Sequence, residues 1–283
     1  MLKKILALAL TLCAALTLCA CGITGGEADK LVDSKPINTP APATFAPEEG
    51  RLMQKVYYNA DGLKFSTVVY EYDGSGRLAK ESHYGVNLAP VSYIAYEYGE
   101  NGKVISEKHF EAIDAEDYEQ SGSIEFEYND AGLLVSKRMH SEYEGVYTYG
   151  YDNQGRLIKE EFSTLDGELQ TTEEYSYDAE GRVSSKTFSN ATYGSGSSES
   201  YEYDAAGNCI LTVGDDGSRS SMEYDERGNE TKLTVTGSDG TTENVLITRY
   251  NYDEYGNIKR SVSVHEDGSE GTVTEYVWSY VKG

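Results

Sequence analysis

A short pattern, YEYDGSGRLAKE at Tyr70–Glu81, recurs with variation as far as Tyr250–Arg260. Each copy reads aromatic-x-Tyr-Asp-x-x-Gly, usually followed by a basic or amide residue and an aliphatic one. Tyr70 and Tyr72 are two residues apart, so in a strand they share one face. Asp73 suits the first position of a β-turn, where its carboxylate accepts turn N–H groups. Gly76 stands where a type I turn needs a left-handed residue to re-enter a strand. Each copy is therefore predicted to be the tip of a β-hairpin.

The motif glycines are Gly76, Gly102, Gly132, Gly155, Gly181, Gly207, Gly228 and Gly256, at spacings of 26, 30, 23, 26, 26, 21 and 28 residues. Asp73, Asp152, Asp178, Asp204, Asp225 and Asp253 open the turns that keep the acid. A period of this size marks a repeat architecture. Between copies lie further Asp-Gly turn signals at Asp61-Gly62, Asp166-Gly167, Asp216-Gly217, Asp239-Gly240 and Asp267-Gly268. About eight units and roughly eighteen strands follow, from about Leu52 to Val281. The predicted fold is all-β, an antiparallel β-meander curled by strand twist into an open spiral or part-barrel. The least regular connection, Ala112–Gly122, reads as an acidic loop or a helical turn.

Hydrophobic residues make up only 39% of the chain, thin for a two-sheet core, and 25 tyrosines compensate. Most sit at motif positions, where rings stack along one face of a long meander.

The N-terminus has a different character. Lys3 and Lys4 precede an apolar run from Ile5 to Leu18, too short for a stable spanning helix and typical of an export leader. The run ends in Leu18-Cys19-Ala20-Cys21, which resembles the lipobox of bacterial lipoproteins. That resemblance implies a leader over 1–20, cleavage before Cys21 and a lipid on its sulfur. Residues 21–50 hold four of the five prolines and read as a disordered Pro/Ala/Thr tether. Residues 51–283 form the repeat domain. The expected address is extracytoplasmic, lipid-anchored to a bacterial cell membrane or outer membrane.

The formal net charge of −24 repels phosphate backbones and disfavours nucleic acid as a partner. Membrane association would come through the lipid at Cys21. Once the leader is lost and Cys21 acylated, Cys209 is the one free thiol, so no internal disulfide is expected.

The motif resembles the YD repeat of the RHS (rearrangement hotspot) family. Its nearest copies are Tyr72-Asp-Gly-Ser-Gly-Arg-Leu78, Tyr151-Asp-Asn-Gln-Gly-Arg-Leu157 and Tyr177-Asp-Ala-Glu-Gly-Arg-Val183. Gly99 and Asn129 depart at the Asp position, Asn208, Asn229 and Asn257 at the Arg position, Phe126 and Met222 at the first aromatic, and Glu230 at the aliphatic. The resemblance spans about Leu52 to Gly283. In large members of that family such repeats spiral into a shell around a toxin. Here it implies a cell-surface repeat module.

No catalytic motif stands out. His83, His109, His140 and His265 lie in different units without metal-ligand spacing, the acidic turns miss the EF-hand pattern, and no Gly-x-Ser-x-Gly occurs. No metal and no cofactor are assigned. Paired acids such as Glu160-Glu161 and Glu173-Glu174 are too common to single out a glycosidase. Cys209 fills the aliphatic slot of its unit and reads as a small core residue. The expected role is a non-catalytic binding or scaffold module for a polysaccharide or protein ligand. Non-motif Tyr118, Tyr143 and Tyr193 are the candidate contacts. The alternatives are a toxin-associated shell or immunity-type protein and a glycan-acting enzyme. Among glycines, Gly181 is expected to resist substitution, whereas Gly194 and Gly196 in the Ser-rich connection should tolerate it.

Overall fold

The computed structural model describes residues 50–141 and 144–280. The leader, Cys21, the tether up to residue 49 and Tyr143 lie outside them. Eighteen strands are described: β1 Gly50–Tyr58, β2 Lys64–Tyr72, β3 Leu78–Tyr84, β4 Pro90–Tyr98, β5 Val104–Ala112, β6 Tyr118–Tyr128, β7 Leu134–His140, β8 Gly145–Tyr151 and β9 Leu157–Ser163. The second half comprises β10 Leu169–Tyr177, β11 Val183–Asn190, β12 Ser195–Tyr203, β13 Cys209–Gly214, β14 Arg219–Tyr224, β15 Glu230–Thr236, β16 Thr242–Tyr252, β17 Ile258–Val264 and β18 Glu270–Tyr280. One three-residue helical turn, Val86–Leu88, joins β3 to β4.

The motif turn is built as its residues demand. In the β2–β3 hairpin, Asp73 Oδ1 accepts the backbone N–H groups of Ser75 (2.8 Å) and Arg77 (2.9 Å). Its Oδ2 takes the Arg77 guanidinium through Nε at 2.8 Å and through a second nitrogen at 2.7 Å. Gly76 donates to the Asp73 carbonyl (2.9 Å) with φ +82°, a conformation that costs a β-carbon about 1 kcal/mol or more. The backbone bonds of this turn recur in every motif hairpin. At Gly99, which has no side chain, Asn101 Oδ1 accepts from the Lys103 N–H instead (3.0 Å), and elsewhere variations preserve side-chain bonds. Asn208 Nδ2 replaces the guanidinium on Asp204 Oδ2 (2.9 Å), and Asn129 Oδ1 replaces the carboxylate for Ala131 and Leu133.

Amide donors and the guanidinium hold Asp73 and Asp152 below the usual carboxylate range. A lowered folded-state pKa contributes stability above the unfolded value, near 3.9, and loses it as pH falls. Asp152→Asn should therefore lower the Tm at pH 7, with the gap to wild type closing below about pH 4. Thermal melts across pH 7 to 2.5 check this; a gap that persists at pH 2.5 contradicts it.

Each hairpin is stacked on the next with the same stagger at every junction but β15–β16. Within a hairpin the first aromatic faces a residue eleven positions on, as in Tyr70↔Glu81, Tyr149↔Glu160 and Tyr250↔Ser261. Between hairpins that residue faces the one two before the next first aromatic, as in Glu81↔Ile94, Glu160↔Glu173 and Ser261↔Thr274. This two-residue climb, widened to four at the β15–β16 junction where Leu233 faces Leu246, tilts the strands and is what lets a twisted sheet close.

It does close. β1 pairs with β2 on one side and β18 on the other, so the sheet is a continuous ring. The expectation of an open spiral or part-barrel is corrected here: the protein is a closed antiparallel barrel. The reason is legible in the pairing. Trp278 faces Leu52 across a bulge, in the same relation as Tyr72 to Leu78 or Tyr203 to Cys209. Tyr276-x-Trp278 is the aromatic half of a ninth motif, and Gly50-Arg51-Leu52 is its Gly-Arg-Leu half. The count of about eight units becomes eight intact hairpins and a ninth split between the two ends of the ring.

A girdle of hydrogen bonds joins the units. The second aromatic of each donates to the aliphatic carbonyl of the preceding one: Tyr72 to Leu52, Tyr98 to Leu78, Tyr128 to Val104, Tyr151 to Leu134, at 2.7–3.0 Å. Tyr177, Tyr203 and Tyr224 continue it, and Trp278 Nε1 donates to Ile258 O at 2.8 Å. At Glu230, where the β15–β16 register is offset by two further residues, Tyr250 makes the bond (3.0 Å), and Tyr252 turns to the Asp225 carboxylate.

The two faces differ sharply. Tyr70, Phe126, Tyr201 and Met222 are buried, while the next residue of each, Glu71, Glu127, Glu202 or Glu223, is exposed. Side chains converge on the concave side of a closed sheet, so the aromatic row lines the inside. Three clusters make the core: Leu52, Val68, Tyr70 and Leu78; Val104, Phe126, Leu134 and Tyr149; Val183, Tyr201, Cys209 and Met222. Cys209 is fully buried there.

Two further expectations are corrected. Ala112–Gly122 is not a loop or helical turn: β5 runs to Ala112 and β6 resumes at Tyr118. The intervening acids form a tight turn in which Asp114 Oδ1 accepts from Glu116 and Asp117. Gly196 is not a permissive site either. It pairs with Ser189 in β12, and a β-carbon there would lie 2.7 Å from the Phe188 carbonyl. Gly194 has φ +60°, so it too is constrained.

Candidate binding surface

The inner wall carries charge as well as tyrosine. His83 contacts Glu81 at 2.8 Å and His109 contacts Glu107 at 3.3 Å, the same pair in successive units. Further round, Glu160 faces Glu173 directly. Glu173 accepts from the Tyr175 hydroxyl (2.6 Å) and meets Lys186 at 3.6 Å. Burial, then the Glu173 charge, pushes the Glu160 carboxyl up, against the pull of Lys137 and Lys186. Among the described residues no three His, Cys, Asp or Glu side chains converge as a metal site.

The outer wall is polar over most of its course. Glu71, Glu97, Glu127, Glu202 and Glu223 are exposed on the strands, and cross-strand pairs such as Lys232–Glu223 (2.9 Å) and Lys108–Glu97 (2.5 Å) lie there. A membrane-spanning barrel needs a continuous outward apolar band about 25 Å tall. These carboxylates break such a band on β2, β4, β6, β12 and β14.

Between β3 and β6 the outer wall changes. Tyr93 faces Phe110 across β4 and β5, and the rings stack at 4.4 Å and 15°. Tyr118 packs edge-on against Tyr93 at 4.8 Å, and Lys80 Nζ stands 4.2 Å from the Tyr93 centroid. Burial beside the Tyr84 and Tyr93 hydroxyls pushes the Tyr118 phenol up, so Tyr84 belongs to the same group. Beneath it lie the hydroxyls of Thr67 and Ser82, buried on β2 and β3 without a hydrogen-bond partner.

This cluster runs into the rim opposite the motif turns. There Leu63, Val86, Leu88 and Ile113, from three consecutive turns, are 65%, 58%, 51% and 67% exposed. Asn87 and Leu88 hold φ of +57° and +60°. Left-handed backbone in a leucine costs free energy, and Leu88 adopts it with its side chain exposed. Around the rim, the turns at 215–218, 237–241 and 265–269 read DDGS, GSDGT and HEDGS, wholly polar.

Of the predicted contacts, Tyr118 lies in this patch. Tyr193 is exposed at the β11–β12 turn, in a different sector, and Tyr143 lies outside the described residues. Sequence reading missed Tyr93, Phe110, Lys80 and the rim residues. The apolar turn Gly85-Val86-Asn87-Leu88-Ala89, unlike its Asp-Gly counterparts, was the available signal.

No family model matches the chain, and no curated protein matches it. Among solved structures, a porin-like protein from Bacteroides uniformis is 14% identical, covering 85% of this chain and all of that one, with a TM-score of 0.44. A porin-like protein from Bacteroides vulgatus is 13% identical over 83% of this chain and all of that one, with a TM-score of 0.33. The Tc holotoxin pore of Photorhabdus luminescens is 14% identical over 81% of this chain but 16% of its own, with a TM-score of 0.29.

Proposed function

We propose that the chain is a non-catalytic binding or scaffold protein of RHS/YD-repeat type, lipid-anchored at Cys21 outside the cytoplasmic membrane. Its binding surface is the aromatic and apolar patch of Tyr84, Tyr93, Phe110 and Tyr118 with the rim above it. The observation that carries this reading is the apolar rim itself, where Leu63, Val86, Leu88 and Ile113 are each more than half exposed on three consecutive turns. Exposed apolar patches of this kind mark interaction sites. The tether enters at Gly50, at the motif-turn end, so an anchored ring directs the patch away from the membrane. A glycan microarray and a pull-down with the soluble ring test this. A saturable ligand lost on Leu88→Asp supports it; a ligand unaffected by that change removes the patch from the function.

A second reading, a glycan-acting enzyme, is favoured by the Glu160–Glu173 pair, two carboxylates that face each other on the inner wall, with burial and the Glu173 charge pushing the Glu160 carboxyl up. Turnover of a polysaccharide that is abolished by Glu160→Gln would establish it.

A further inference from the structure

The patch narrows the class of ligand, taking the proposed binding role as given. Sugar recognition by aromatic residues needs an open ring face for a pyranose to stack on. Tyr93 offers none: Phe110 stacks on its ring and Lys80 stands over it. What remains accessible is mostly aliphatic, namely Leu63, Val86, Leu88, Val91 and Ile113, with the exposed aromatic Phe65 beside them. These side chains favour another apolar surface over a hydroxyl-rich one.

The surroundings are mainly acidic, with the cations Lys64 and Lys80 beside the patch. Asp61, Glu111, Asp114, Glu116, Asp117 and Glu119 are all exposed on the same turns and strand ends. Asp114 accepts two backbone N–H groups, which hold its carboxyl below the usual range and keep it ionised. An apolar centre with an acidic border repels anionic lipid headgroups and acidic proteins. It complements a surface with an apolar centre and a basic border.

We infer that the rim over β1–β6 docks a basic, amphipathic protein segment, its apolar face on Leu63, Val86, Leu88 and Ile113 and its lysines or arginines on the bordering carboxylates. Such a mode is helix-on-surface recognition with electrostatic selection of the partner.

The test uses the mature chain made without its lipid and two defined probes. One is an 18-residue amphipathic Leu/Lys peptide, the other its Leu/Glu counterpart of equal apolar content. Calorimetric titration should show saturable binding of the Leu/Lys peptide and at least roughly tenfold weaker binding of the Leu/Glu peptide. The double variant Leu88→Asp with Ile113→Asp should weaken the Leu/Lys peptide by roughly tenfold or more, although it adds negative charge. Val277→Asp, exposed on β18 away from the patch, should leave it within about twofold. Unchanged or tighter binding by the double variant shows charge attraction alone and overturns the inference. Equal weakening by Val277→Asp shows that the loss does not belong to the patch and overturns it too. So does sedimentation of the chain with phosphatidylcholine vesicles through Leu88 and Ile113. If the peptide is ignored while a glycan ligand is lost in the double variant, the partner class is wrong and the binding reading stands. If neither peptide nor glycan nor protein depends on the patch, both fall.

Discussion

A disulfide between Arg51→Cys and Ser279→Cys should stabilise the oxidised protein over its reduced form by as much as roughly 5 kcal/mol. The two residues face each other across the β1–β18 junction and both are exposed. Opposed residues of antiparallel strands have Cα atoms about 4.5–5.5 Å apart, within the reach of a disulfide. The loop so closed spans about 230 residues, near the upper end of what a cross-link removes from the unfolded chain's entropy. A control bridge, Glu71→Cys with Lys80→Cys, links residues equally opposed but within one hairpin. It closes about ten residues and should give about 3 kcal/mol or less. Denaturant melts of each variant, oxidised against reduced, measure both. An open spiral predicts that the first pair does not form within one chain.

The second large effect lies on the inner wall. Tyr149→Ala should cost about 3–5 kcal/mol, the range for emptying a large aromatic site in a packed cluster. Tyr149 is 8% exposed among Val104, Phe126 and Leu134. Burial, first, and the nearby Glu160 charge push its phenol far above the ordinary value, as expected of a ring drawn out of water. Glu202→Ala, beside a buried tyrosine but on the outer wall, should stay within about 0.5 kcal/mol. Urea midpoints of the two variants decide. Comparable losses would contradict the assignment of the aromatic row to the inside.

The hairpins could be read from sequence because everything that makes them is local. Asp73, Gly76 and Arg77 lie within five residues and bond to one another. Tyr70 and Tyr72 show their shared face by spacing alone. Closure could not be read in the same way. The two halves of the ninth motif stand more than 220 residues apart in the sequence, with Trp278 in the tyrosine slot and Ser279 in the aspartate slot. Only pairing shows that Gly50-Arg51-Leu52 completes it. The acidic stretch after Ala112 looked structureless because its carboxylates crowd one turn and hide the strand ends on either side.

The binding surface was legible only at Tyr118, a tyrosine no motif explains. Tyr93 and Phe110 are ordinary strand residues until register sets them opposite each other on the outer face. That register depends on a bulge at Tyr98, which no propensity announces. Gly196 carries the same lesson. Its Ser-rich neighbours suggest freedom, yet the strand paired beside it leaves a β-carbon no room.

Amide hydrogen exchange along β1 and β18 tests the closed ring most directly. Successive N–H groups of a strand point to alternate sides, so a strand with two neighbours protects all of them and an edge strand only half. The ring predicts that Gln54, Lys55, Val56 and Tyr57 are protected as a continuous run, as are Thr274 to Val277 opposite them, at levels matching the interior strands. Fast exchange at every second amide in both segments would show two free edges and contradict the closed nine-hairpin barrel.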